Sequence, residues 1–182
     1  MVRSSMMLMR ALEVARAVDP PDWLIGSGVI RNLVWDRLHG FDRPTAPKDV
    51  DLVFFDSAAL GEERERQVHD ALAVKAPEIP WDPKNQAAVH LWCPDVFGIA
   101  VEPLTSSADA VATWPETATA VAVRLLPDDS LRVVAPCGLD DLFGLVWRRN
   151  PRRVTVEEYR RRAHGKRIAE RWPMVEIVDE PR

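Results

Sequence analysis

Residues 23–56 read WLIGSGVIRNLVWDRLHGFDRPTAPKDVDLVFFD, and the change of hydrophobic period inside this stretch decides the architecture. Residues 22–25 form a short apolar strand that stops at Gly26-Ser27-Gly28, where a helical spacing takes over with Ile30, Val34 and Leu38 on one stripe. Gly40 stands where a left-handed helix cap is wanted, and Pro44 prevents continuation. From Lys48 the pattern alternates through Asp49-Val50-Asp51 and then turns wholly apolar, which predicts a strand entering the middle of a sheet.

Two features of this stretch carry chemistry. A Gly-Ser-Gly turn between a strand and a helix lets the backbone bend sharply and presents unpaired N–H donors at the positive end of a helix, an arrangement suited to phosphate. Taken alone, the same turn also serves as a plain tight connection. The Asp49-Val50-Asp51 spacing sets two carboxylates on one face of a strand, with Cα atoms roughly 6.5 Å apart. Such a pair suits a shared Mg²⁺, whose hard-oxygen shell is completed by substrate phosphates and water. A solvated strand end with Val50, Leu52 and Phe54 turned inward is the plainer reading. The two features gain weight together, because the turn lies one helix upstream of the carboxylate strand and consecutive elements usually pack side by side.

In that combination residues 23–56 resemble the signature of the DNA polymerase β-like nucleotidyltransferase superfamily, in which a Gly-Ser turn precedes a helix and an Asp-x-Asp follows on the next strand. More narrowly the chain resembles a bacterial nucleotidyltransferase-like family, through residues 30–40, the DVD strand, Lys84-Asn85-Gln86-Ala87, residues 114–121 and the closing Arg171-Trp172-Pro173. The resemblance implies an α+β fold, a small mixed sheet flanked by helices with a C-terminal hairpin and helices. The expected layout is a single domain over residues 1–182, with a core at about 20–135 and a helical C-terminal part at about 137–172.

It further implies transfer of a nucleoside monophosphate from a triphosphate, ATP first among them, to an acceptor hydroxyl. Gly26, Ser27, Gly28 and Arg31 would hold the nucleotide. Asp49 and Asp51, with a third carboxylate, would hold Mg²⁺ or Mn²⁺ and carry catalysis. Asp82 stands where the narrower family places that third acid. Pro83 removes a ladder hydrogen bond and requires Asp82 to lie at a strand edge or end. Glu102, after the apolar Ile99-Ala100-Val101, is the rival. Lys84, Asn85 and Gln86 read either as substrate contacts or as a capping group, and Arg31 either reaches phosphate or pairs locally with Asp36. A catalytically silent nucleotide-binding module of the same fold is the alternative function.

Outward from this stretch, helices are expected at 58–75 (capped by Ser57), 85–92, 109–114, 138–147 and 156–171. Residues 117–134 read as a β-hairpin turning at Pro127-Asp128-Asp129-Ser130. A net charge of −4 argues against a surface built to coat nucleic acid, so RNA or DNA is a partner we do not favour. The arginine-rich segment 147–171 reads first as a solvated helical face. No stretch has the roughly 20 apolar residues of a membrane span, and Cys93 and Cys137 have no metal-ligand spacing. We expect a cytoplasmic protein with both thiols buried. The seven tryptophans are core anchors, with Trp23, Trp35 and Trp81 near enough to the motifs for one to stack on a base.

Overall fold

The computed structural model describes residues 1–97, 100–152 and 154–178. Ile99, in the expected approach to Glu102, and Arg153, in the arginine-rich segment, lie outside the described residues. Ser5 starts α1 (Met6–Val18) by accepting the Leu8 N–H on its hydroxyl, and Leu8, Ala11, Leu12 and Ala15 form its buried face. Strand β1 (Leu24–Gly26) and helix α2 (Gly28–Leu38) follow, with Gly40 at φ 68° beyond the helix end. Next come β2 (Val50–Phe54), α3 (Glu62–Lys75), β3 (Trp81–Asn85) and α4 (Val89–Phe97). The helix expected to begin after Ser57 begins instead at Glu62, because residues 57–61 turn around the buried Asn85 amide, which donates to the Asp56 and Ala59 carbonyls.

The second half contains α5 (Ser107–Val111), β4 (Ala122–Leu125), β5 (Leu131–Val134), α6 (Asp140–Phe143), β6 (Val146–Arg148), α7 (Val156–Gly165), α8 (Ile168–Arg171) and β7 (Glu176–Val178). The main sheet runs β3-β2-β1-β4-β5, parallel between β2 and β3 and antiparallel elsewhere, so it is the mixed sheet expected. Helix α3 supplies the crossover that a parallel β2/β3 pair needs. Ile25 and Leu52 pair across one face and join the core beneath α1, α2 and α3. Leu24 and Val53 pair across the other and pack against Val111, Ala120 and Val134. The hairpin between β4 and β5 closes through Asp129 at φ 62°.

The C-terminal part departs from the expectation of two long helices. Helix α6 spans one turn, since Leu145 takes a left-handed φ of 57° and sends Val146–Arg148 into a parallel pairing with Glu176–Val178. Arg167, also left-handed at φ 52°, splits the last helix into α7 and α8. Four tryptophans, Trp23, Trp35, Trp147 and Trp172, are wholly buried, and Trp81 nearly so. None of the three proposed as base-stacking residues, Trp23, Trp35 or Trp81, is therefore available to a ligand. Cys93 is buried as expected but Cys137 is exposed.

Candidate active site

Sheet register aligns the chemistry-bearing residues in a row. Ile25 lies opposite Leu52, so the turn at the end of β1 falls beside Asp51 at the start of β2. Asp51 in turn pairs with Asp82 on β3. Neighbouring strands are about 4.8 Å apart, so the order turn, Asp51, Asp82 spans roughly 10 Å. Asp82 lies on the edge strand, next to Pro83, as a proline in the ladder requires. Glu102 lies in an exposed loop that lines a different cavity with Asp109, Arg149 and Arg152.

At the turn, each residue has a distinct job. A Cβ on Gly26 would lie 2.5 Å from the Val121 carbonyl oxygen and 2.7 Å from the Ala122 Cβ, so this glycine lets β4 close against β1. Sequence reasoning expected a ligand to make that close approach. Ser27 adopts φ 60°, ψ −128°, a region that strains any residue with a side chain and that collects at functional turns. Its hydroxyl makes no cap bond to α2 and instead favours the charged form of the nearby Asp51, which leaves the first-turn N–H groups of α2 without that cap. A Cβ on Gly28 would meet nothing nearer than the Arg31 Nη2 at 3.9 Å.

Burial, and then the neighbouring Asp49 and Asp82, push the Asp51 carboxyl up to about 6, against opposing pulls from the Ser27 hydroxyl and Lys166. Among the described residues no group of three or more His, Cys, Asp or Glu side chains is drawn together closely enough to hold a metal ion. The three carboxylates form a looser, open set in which repulsion is already felt. Lys84 reaches Asp82 at 3.4 Å and Glu65 at 3.6 Å. Asn85 is a capping residue: its Oδ1 accepts the Asp56 and Ala87 N–H groups. Gln86 donates weakly to the Lys84 carbonyl at 3.3 Å.

Arg31 is 3% exposed, with Trp35, Trp147 and Trp172 each placing a ring centroid 5.2–5.4 Å from its guanidinium. Its Nη2 donates to Asn32 Oδ1 at 2.7 Å, its Nε has no partner, and burial drives its pKa down to about 10. It does not pair with Asp36. That carboxylate accepts the Thr45 N–H (2.6 Å), the Thr45 hydroxyl (2.8 Å) and the Trp172 indole N–H (2.8 Å), tying the loop before Asp49 to the far end of the chain. Sequence reasoning missed this tie, the fully buried Glu116 that pairs with Arg162 at 2.6 Å, and Lys166, whose ammonium feels Asp49 and Asp51. All are remote in sequence, and no local spacing announces them. Five arginines of the arginine-rich segment are paired within the chain, as Arg148–Asp141, Arg152–Asp109, Arg161–Glu158, Arg162–Glu116 and Arg167–Glu170.

Comparison with known proteins agrees with this fold. Residues 13–177 match a family model described as nucleotidyltransferase. A structure described as revealing a CCA-adding enzyme head domain, determined by NMR, superposes with a TM-score of 0.82 at 26% identity, over 98% of this chain and 92% of that one. A CCA-adding enzyme in complex with CTP gives 0.59 at 16% identity, over 94% and 40%. The Thermotoga maritima CCA-adding enzyme complexed with tRNA gives 0.55 at 15%, over 94% and 38%. This chain thus spans about two-fifths of those two larger enzymes, and the likeness to them is one of fold. No curated protein matches.

Proposed function

The chain belongs to the nucleotidyltransferase family and is an enzyme of that class, and from that premise we propose that it transfers a nucleoside monophosphate from a triphosphate to an acceptor hydroxyl at the row formed by Ser27, Asp51 and Asp82. The observation that carries the reading is the register that sets Asp82 beside Asp51 and the strained Ser27 turn on Asp51's other side.

Asp49, Asp51 and Asp82 suit a divalent cation, since the Asp51 carboxyl is held up to about 6 by burial and its two acidic neighbours, with Lys166 opposing at Asp51 and Lys84 at 3.4 Å from Asp82. Bound Mg²⁺ or Mn²⁺ would supply charge stabilisation for the oxygens that attack and leave. The N–H groups at the start of α2 and the Ser27 turn bind the departing phosphates. The acceptor oxygen donates its electron pair to the α-phosphorus. The α–β bridging P–O bond breaks with its pair leaving on pyrophosphate, and the hydroxyl proton passes to Asp82 and on to solvent. Lys166 and the N-terminus of α2 add positive charge where the triphosphate lies. Buried Arg31 acts from beneath the turn, as a fixed charge rather than a phosphate ligand, and this revises the role expected from sequence.

ATP is the nucleotide to try first, with CTP as the comparison because a relative of the same fold was captured with it. No helix among the described residues is long and apolar enough to cross a membrane; we place the enzyme in the cytoplasm on its two unbridged cysteines. The test is titration of the four nucleoside triphosphates with and without Mg²⁺, for the natural protein and for Asp49→Asn/Asp51→Asn. Metal-dependent binding confined to the natural protein is expected. Equal binding by both, or transfer of label by the double variant, would sink the assignment.

A further inference from the structure

A cavity of about 640 Å³ opens beside β3, walled by Trp92, Trp114, Val89 and Pro115 and edged by Lys84 and Gln86. We propose that it seats the acceptor, and that the acceptor is a free, uncharged small molecule of nucleoside size, with a planar ring as well as a hydroxyl. The inference rests on the reading of the carboxylate row given above.

The first argument is directional. In-line displacement requires the attacking oxygen to approach from the side opposite the leaving pyrophosphate. With the phosphates at the α2 N-terminus beyond Asp51 on one flank, the attack comes from the β3 flank. Lys84 bridges the two spaces: it lines the cavity, and its ammonium lies 3.4 Å from the Asp82 carboxylate. A ring held in the cavity therefore has a hydroxyl-bearing arm's length to Asp82.

The second argument is chemical. The volume lies within the range of roughly 300–1,000 Å³ found for small-molecule sites, and the mixture of aromatic and aliphatic walls with a few polar groups is what such sites share. Two half-buried indoles give flat apolar faces, while Gln86, Thr113 and Glu157 supply donors and acceptors at the edges. The three cations in the wall are each matched by an acid: Lys84 by Asp82 and Glu65, Arg161 by Glu158, Arg162 by Glu116. A groove for an RNA strand needs surplus positive charge along its length, and this wall has none to offer.

The test titrates adenosine and cytidine, by calorimetry, into protein saturated with Mg²⁺ and α,β-methylene-ATP. Saturable binding of at least one nucleoside is expected, weakened at least tenfold in Trp114→Ala and in Val89→Trp, which fills the cavity, while both variants hold the ATP analogue as the natural protein does. Retained analogue binding with no nucleoside bound overturns the proposal but leaves the active-site reading standing, whereas loss of analogue binding in the natural protein overturns both. Unaltered nucleoside binding in the two variants, or tight salt-dependent binding of a short RNA ending in CCA where free nucleosides fail, also overturns it.

Discussion

Asp51→Asn should stabilise the metal-free protein while removing its activity. Burial, with Asp49 and Asp82 alongside, lifts the Asp51 carboxyl from an ordinary 3.8 to about 6. That is about two units, or about 3 kcal/mol at ~1.36 kcal/mol per unit. The folded chain holds this proton more tightly than the unfolded one. The stabilising contribution is therefore complete below about pH 3.8 and is lost as pH rises through about 6. At neutral pH the ionised carboxylate weighs against the fold. Asparagine keeps the shape and an oxygen for the Ser27 hydroxyl but sheds the charge. With relaxation of the site allowed for, about 2 kcal/mol should return, or roughly 4–8 °C in melting temperature for a chain of this length. Circular-dichroism melts in a chelator at pH 7.5 and pH 4.5 read it directly. The variant should melt higher at pH 7.5, with the gap falling below half at pH 4.5. A variant that melts at or below the natural protein at pH 7.5, or a gap indifferent to pH, refutes the electrostatic account.

Three further outcomes follow from other contacts. Gly26→Ala forces β1 away from the Val121 carbonyl and should cost about 2–3 kcal/mol or more in denaturant melts, whereas Gly28→Ala, with its nearest neighbour 3.9 Å away, should stay within ~1 kcal/mol; equal effects would undo the distinction. Trp172→Phe removes the indole donor from buried Asp36 and should cost about 1–3 kcal/mol. It should also raise the Mg²⁺ needed for nucleotide binding, by loosening the loop before Asp49, and an unchanged magnesium titration would show that the tie does not reach the site. Arg162→Ala strands the fully buried Glu116 and should cost on the order of 3 kcal/mol, with much of the loss recovered when Glu116→Gln is added. A double variant as unstable as the single one would contradict the pairing.

The parts legible in the sequence were those whose geometry is local. A change of period at Gly26 marks β1 and α2, and the two-residue spacing of Asp49 and Asp51 follows from strand pleat alone. Pro83 even foretells that β3 must be an edge. Long-range facts left no such trace. Asp82 is next to Asp51 only through a parallel register set by α3. Arg31 looks from its position like a phosphate ligand on the first turn of a helix, yet three tryptophans drawn from residues 35, 147 and 172 enclose it. The closing segment misled for a related reason: residues 138–147 carry a helical pattern, but a left-handed Leu145 and the pull of a partner strand thirty residues on decide otherwise.

The bond between Trp172 and Asp36 joins residues 136 positions apart. A chain leaving the ribosome has made both aspartates of the DVD strand long before residue 172 exists, and until then the Asp36 carboxylate holds Thr45 without its indole donor. The loop leading into the carboxylates therefore receives its last fastening only after residue 172 has been made. Such late, distant closures slow folding, but here they also separate birth from competence: a nascent or prematurely ended chain has the acids of a transferase without the finished frame that aims them.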